Sequence, residues 1–214
     1  MMREFDSPGP ISVVIEAYVG HIRVVAADRT TAVVDVRADD RNRRFDVEAV
    51  ERTRVEYSEG RLRVSAPGPP WGGEAVGRAH GSIEIVVEVP IGSQVRADTG
   101  MGTIRTEGRL GDCRLTSSLG DISVGAAESA VTATTTTGSI HVDLITQGRI
   151  RLETTMGELD IGVRPGTAAV LDLHTDFGWV RNDLETAGDP GASGRTAEVR
   201  ARVTTGNIVV RRVA

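Results

Sequence analysis

Along most of the chain, apolar and polar residues alternate in short runs broken by glycine. This is the signature of strands with one buried and one solvated face. In the stretch Val131-Thr-Ala-Thr-Thr-Thr-Thr-Gly-Ser-Ile-His-Val142 the pattern is at its plainest, and it recurs along the chain. Aligned on Gly102, Gly120, Gly138, Gly157, Gly178 and Gly206, the units are 18, 18, 19, 21 and 28 residues apart. Seven residues before each glycine stand Val95, Cys113, Val131, Ile150, Leu171 and Val199. Five before stand Ala97, Leu115, Ala133, Leu152, Leu173 and Ala201, and two after stand Ile104, Ile122, Ile140, Leu159, Val180 and Ile208. All three columns are apolar, and the inward parity changes across the glycine, where the chain must bend. Glycine suits that corner because it accepts positive φ and lets the next layer approach closely.

A single unit of this kind buries too few aliphatic side chains to offset its own ordering entropy. Stacking like units makes each inward column a continuous core, which is the logic of a β-solenoid. The expectation is an all-β stack of roughly eight to nine short coils, in sequence order; a meander of hairpins around the same corners is the alternative. The amino-terminal part fits less regularly. Ser12 to Val25 reads as strand, corner at Gly20, strand, and Thr31 to Arg37 as a further strand. The charged run 39–44 replaces a corner, and Thr53 to Val64 restores the unit around Gly60. Proline- and glycine-rich insertions near 66–80 and 187–196 read as loops on one domain spanning 1–214.

Composition narrows the classes. Hydrophobic residues make up 39 % of the chain but aromatics only 3 %, so the core must be aliphatic, which favours strands. A net charge of -5 argues against a protein that coats nucleic acid. The lone cysteine, Cys113, rules out an internal disulfide and a cysteine-based zinc site, and it falls in a core column. No run of apolar residues is long enough for a membrane-spanning helix, and residues 1–10 lack the apolar core of an export signal. Cytoplasm is therefore the default location, with no membrane insertion.

The segments Thr99-Gly-Met-Gly-Thr-Ile, Ser117-Ser-Leu-Gly-Asp-Ile, Thr136-Thr-Gly-Ser-Ile, Thr154-Thr-Met-Gly-Glu-Leu and Thr204-Thr-Gly-Asn-Ile, with Val87-Glu-Val-Pro-Ile-Gly92, resemble a bacterial β-strand-repeat family. That family groups adhesins of unknown function related to toast-rack-like domains. The resemblance implies a right-handed parallel β-helix-like solenoid without assigned catalytic residues. Many relatives are exported or membrane-tethered, and this chain departs from them in showing neither signal.

Candidate chemistry sits on the outward columns. Six residues before the glycine stand Arg96, Arg114, Thr132, Arg151, Asp172 and Arg200, an arginine stripe suited to a phosphate or acidic glycan by bidentate contact. Three after it stand Arg105, Ser123, His141, Asp160 and Arg181, so a His141–Asp160 pair at one layer spacing is expected. Asp160 with Glu158, or Asp121, could meet the separation of a polysaccharide-cleaving carboxylate pair, as could almost any two outward acids on a stack. The four histidines show no zinc spacing, no calcium repeat occurs, and no cofactor is expected. Just before each glycine stand Met101, Leu119, Thr137, Met156, Phe177 and Thr205, expected to fill the core. Trp71 and Trp179 are the large side chains with a claim to an exposed binding role. The expected function is a non-catalytic module engaging a protein or glycan partner. The alternative is a homo-oligomer stacking end to end through Asn207 to Val213, guarded by Arg211 and Arg212.

Overall fold

The computed structural model describes residues 1–66, 68, 81–184 and 194–213. In chain order the elements are β1 (Met2–Asp6), β2 (Ser12–Ala27), β3 (Thr31–Ala38), α1 (Arg44–Arg52), β4 (Arg54–Ser58), β5 (Arg61–Ala66), β6 (Ile83–Pro90), β7 (Gln94–Met101), β8 (Ile104–Arg109), β9 (Cys113–Leu119), β10 (Ile122–Ala127), β11 (Val131–Thr137), β12 (Ile140–Ile145), β13 (Gly148–Met156), β14 (Leu159–Val163), β15 (Ala168–Phe177), β16 (Val180–Asn182), β17 (Thr196–Thr205) and β18 (Ile208–Arg212). Among the described residues the fold is all-β apart from one short helix.

Strands preceding the corner glycines form one parallel sheet, and strands following them form a second. Sheet 1 runs β5, the first half of β2, β7, β9, β11, β13, β17, β15. Sheet 2 runs β6, the second half of β2, β8, β10, β12, β14, β18, β16. Together they make a parallel solenoid of eight layers, as the columns imply. The register follows the alignment residue by residue, with Val131 between Cys113 and Ile150 and Ile140 between Ile122 and Leu159. All these positions are buried in one aliphatic core.

The corner explains the glycines. Gly138 has φ of 145°, and a Cβ there would overlap the carbonyl oxygen of Gly120 in the adjoining layer. The same close approach continues as a ladder, Gly20–Gly102–Gly120–Gly138–Gly157–Gly206–Gly178. Beside it runs a second ladder that the alternation pattern leaves invisible. The hydroxyls of buried Ser117, Thr135 and Thr154 and of half-buried Thr175 donate to the carbonyls of Gly102, Gly120, Gly138 and Gly206, at 2.8–3.1 Å. These bonds satisfy acceptors that the bend takes out of the sheet ladder.

Layer order departs from sequence order at both ends. The last coil, β17 and β18, lies between β13/β14 and β15/β16, so the chain steps over a vacant layer at residues 164–167 and returns to fill it. Arg212 holds the crossing, donating to the carbonyls of Arg164 at 2.9 Å and Thr167 at 3.1 Å. At the other end β2 lies between β5/β6 and β7/β8, and the crossing at residues 91–93 is pinned by buried Ser93. Its hydroxyl donates to Pro90 O at 2.7 Å and accepts from Ile11 N at 3.0 Å. Asn207 to Val213 is therefore an interior strand, and the expectation that it forms a bare end is corrected: among the described residues the free edge is β15/β16.

The amino-terminal end is built otherwise. Residues 53–64 make no solenoid corner: β4 and β5 form an antiparallel hairpin, turned at Glu59 and Gly60 with φ of 49° and 70°. On sheet 2, β3 pairs antiparallel with β6 and β1 with β3. The charged run 39–44 leads into α1, which packs on β3, β5 and β6 and lays Ala49 and Val50 against the core. Fully buried Asp46 fixes the helix by accepting from the backbone N–H of Asp40 at 3.0 Å and of Ser82 at 2.9 Å.

Candidate functional site

The candidate residues fall on three separate surfaces. Arg96, Arg114, Arg151 and Arg200 lie on the outer face of sheet 1, where alternation from buried Val95, Cys113, Ile150 and Val199 turns them to solvent. Their states differ. Arg96 is paired with Asp98 at 2.9 Å, and Arg200 with Asp172 at 2.8 Å. Asp172 also accepts from Arg202, and the two guanidiniums hold its carboxyl below the usual range. Arg114 and Arg151 are exposed and have no acidic partner among the described residues. Glu153 stands to Arg151 as Asp98 stands to Arg96, but it makes no ion pair. Thr132 separates the two free arginines, which puts their strands two ladder spacings, about 9–10 Å, apart.

Beside the two free arginines this face carries hydroxyls, Thr132, Thr134 and Thr136 on β11 with Thr116 and Ser118 on β9, and Glu153 in register with Thr134. A shallow depression of about 240 Å³ opens beside Arg114, lined among others by Arg96, Asp112 and Thr132. Its floor includes Cys113, whose thiol burial pushes up to about 12, with Asp112 adding to the shift. A thiol held neutral in this way is a packing group rather than a nucleophile.

His141 and Asp160 meet on the outer face of sheet 2, as their column predicts, with His141 Nδ1 3.1 Å from Asp160. Ser123 is the next residue in register, so a serine, a histidine and an aspartate lie on adjacent strands. The geometry is not that of a nucleophile and base, because His141 Nε2 turns to Asp143 at 2.7 Å instead of to Ser123. Asp160 also takes both Nε and Nη2 of Arg211, at 2.9 and 3.2 Å. Glu158 accepts from the Asn207 side chain and Asp121 from Ser139 N, so each acid of the suggested carboxylate pair is tied into the wall. The cluster is an ion ladder joining three layers. Among the described residues no group of three or more histidine, cysteine or acidic side chains is placed to hold a metal.

Trp179 is half exposed at the corner of the outermost layer, its backbone N–H bonded to Asn207 Oδ1 at 3.2 Å. Trp71 lies outside the described residues. The column before the glycines does not fill the core as expected. Met101, Leu119, Met156 and Phe177 are exposed, because the chain has already begun its turn there. No helix among the described residues is long and apolar enough to cross a membrane.

The architecture defines the class, a parallel β-solenoid whose charged and hydroxylated faces lie outside a dry aliphatic core. No family model matches the chain, and no curated protein matches it. Solved structures do. One described as a "putative cell adhesion protein" from Clostridium sporogenes is 11% identical, with a TM-score of 0.54, over 100% of this chain and 99% of that one. A "putative adhesin" from Bacteroides fragilis is 10% identical, with a TM-score of 0.47, over 100% and 96%. At such identity the first likeness shows the fold, and the second, with its lower score, adds no argument. The solenoid expected from the repeat is the fold observed.

Proposed function

We propose that the protein is a non-catalytic binding module whose sheet 1 face takes an anionic glycan. The observation that carries this reading is the contrast within the arginine stripe. Its outer members are neutralised by Asp98 and Asp172, whereas Arg114 and Arg151 stand free on either side of a field of hydroxyls. Two unpartnered guanidiniums on a rigid ladder suit phosphate, sulfate or carboxylate groups spaced along a polymer, since each can engage one group bidentately. The threonine hydroxyls between them, fixed by the sheet, offer donors and acceptors to the sugar units, and the depression beside Arg114 has room for a substituent. The name given to the Clostridium sporogenes structure is in keeping with a binding role.

The test is retention of the full chain on immobilised dextran sulfate and on neutral dextran. Binding to the sulfated polymer alone is expected, weakening with salt, and lost by tenfold or more in the double variant Arg114→Ala/Arg151→Ala. The control Arg96→Ala/Arg200→Ala should change it less than about twofold, the small effect usual for exposed paired charges. Equal loss in both doubles, or none in the first, overturns the reading.

A further inference from the structure

The layer formed by β15 and β16 differs from the other seven. Its inward columns are the same, yet they are not covered. Val180 is 43% exposed, where its counterparts Ile104, Ile122, Ile140, Leu159 and Ile208 are all fully buried. Leu171 and Leu173 are half-buried, where Val199 and Ala201 in the adjoining layer are fully buried. Val170 and Phe177 are each 71% exposed and Trp179 is 51% exposed, so large apolar side chains concentrate in this one coil. Over its ten residues β15 pairs only with β17, and among the described residues its other edge meets no strand. A long, apolar, unpaired edge of this kind is a template for another strand.

We propose that this edge pairs with the same edge of a second copy, joining two rods tail to tail about a twofold axis. The argument for a second copy lies in the charge pattern of β15, Ala168-Ala-Val-Leu-Asp-Leu-His-Thr-Asp-Phe177. In a twofold antiparallel pairing centred on Leu173, each Asp172 faces the other copy's His174. Leu173 meets its own counterpart, and Leu171 meets Thr175 on the core side. The neighbouring registers are worse. Centring on Asp172 sets aspartate against aspartate, centring on His174 sets Asp172 against Asp176, and a slip of one residue turns every core side chain outward. The edge is thus complementary to itself in one register, as an isologous contact requires. Arg200 and Arg202 already orient the Asp172 carboxylate, and Asp176 holds His174 at 2.9 Å, so the groups that would meet are fixed beforehand. Head-to-tail growth is disfavoured by the other end, where α1 and the antiparallel strands cover the core.

The experiment is the molar mass of the full chain by sedimentation equilibrium, with register read by cysteine. The expected mass is twice 22.7 kDa. On the twofold axis Leu173→Cys would face its own copy at a Cα separation of about 4.5–5.5 Å. Mild oxidation should therefore give a covalent dimer in high yield, because that separation lies within disulfide reach. Leu171→Cys, facing Thr175, should give at least tenfold less, and the unmodified chain none, since Cys113 is buried. The surface variant Val170→Glu places a third acid opposite Asp176 of the other copy and should weaken the dimer by tenfold or more without altering the far-ultraviolet spectrum. A monomer at every concentration, a mass that grows without limit, or equal cross-linking at 171 and 173 overturns the proposal. The glycan reading is tested on different residues and by a different readout, so either can fail alone.

Discussion

The two ends of the rod solve the same problem in opposite ways. Both must close a core that the repeat leaves open. At the amino-terminal end a helix, a hairpin and two antiparallel strands cover it, anchored by one buried carboxylate. At the other end nothing among the described residues does the equivalent, and a layer of standard composition stands with its core columns half exposed. The difference teaches that the repeat specifies the interior of the stack and is silent about its limits. A cap needs residues that break the repeat, and among the described residues the chain places them in its first third.

That contrast can be probed from the largest expected effect to the smallest. Gly138→Ala, in the middle of the stack, combines left-handed backbone strain with overlap on Gly120 between two fixed layers. It should cost about 2–5 kcal/mol, read from the denaturation midpoint. Gly178→Ala meets the same kind of overlap with Gly206, but its layer is free to move away on the open side. It should cost less than half as much, and equal losses would show that the outer layer is as firmly held as the inner ones. Asp46→Ala removes a fully buried acceptor that ties down two backbone N–H groups and should cost about 2–4 kcal/mol. It should also raise binding of an apolar dye at the capped end, which the other end should show only when the dimer is broken, as in Val170→Glu.

The mildest effect concerns Cys113 in the interior. Its folded pKa is raised, so the stability it contributes is whole below the ordinary thiol value of 9.0 and declines as pH rises from there toward about 12. At pH 8 an alkylating reagent should reach Cys113 only through opening of the stack. A cysteine introduced at Leu171 should react directly in the monomer of the Val170→Glu background. Comparable rates would remove the distinction between interior and end.

Much of the interior was legible because strand periodicity, a glycine every layer and three apolar columns all point to the same answer. The order of layers was not, for the same reason. Val199, Ala201 and Ile208 fit the columns at any level, so nothing local says that the last coil belongs between the two before it. The helix at 44–52 carried a signal in Asp46, Ala49, Val50 and Thr53, at helical spacing. An aspartate in the leading core position and the surrounding charges hid it. The hydroxyl ladder stayed hidden although Thr99, Ser117, Thr135, Thr154 and Thr175 share one column, because a polar column reads as an outward one until the glycine carbonyls are seen beneath it.

The candidate surfaces divided likewise. The pairing of His141 with Asp160 followed from register alone, since one ladder spacing brings them together. Which arginines are free did not, because Arg96 and Arg151 have an acid at the same offset and only one of them uses it. That Asp172 lies beside Arg200 and not beside Arg151 depends on the crossed layer order.

That crossed order bears on how the molecule would carry a load. In a solenoid wound in sequence, a pull on the tail peels coils away one after another, each ladder opening like a zip. Here the final strands are gripped on both flanks, in both sheets. A tug on the carboxyl terminus must shear four ladders together, across the whole length of β17 and β18, before any layer can unwind.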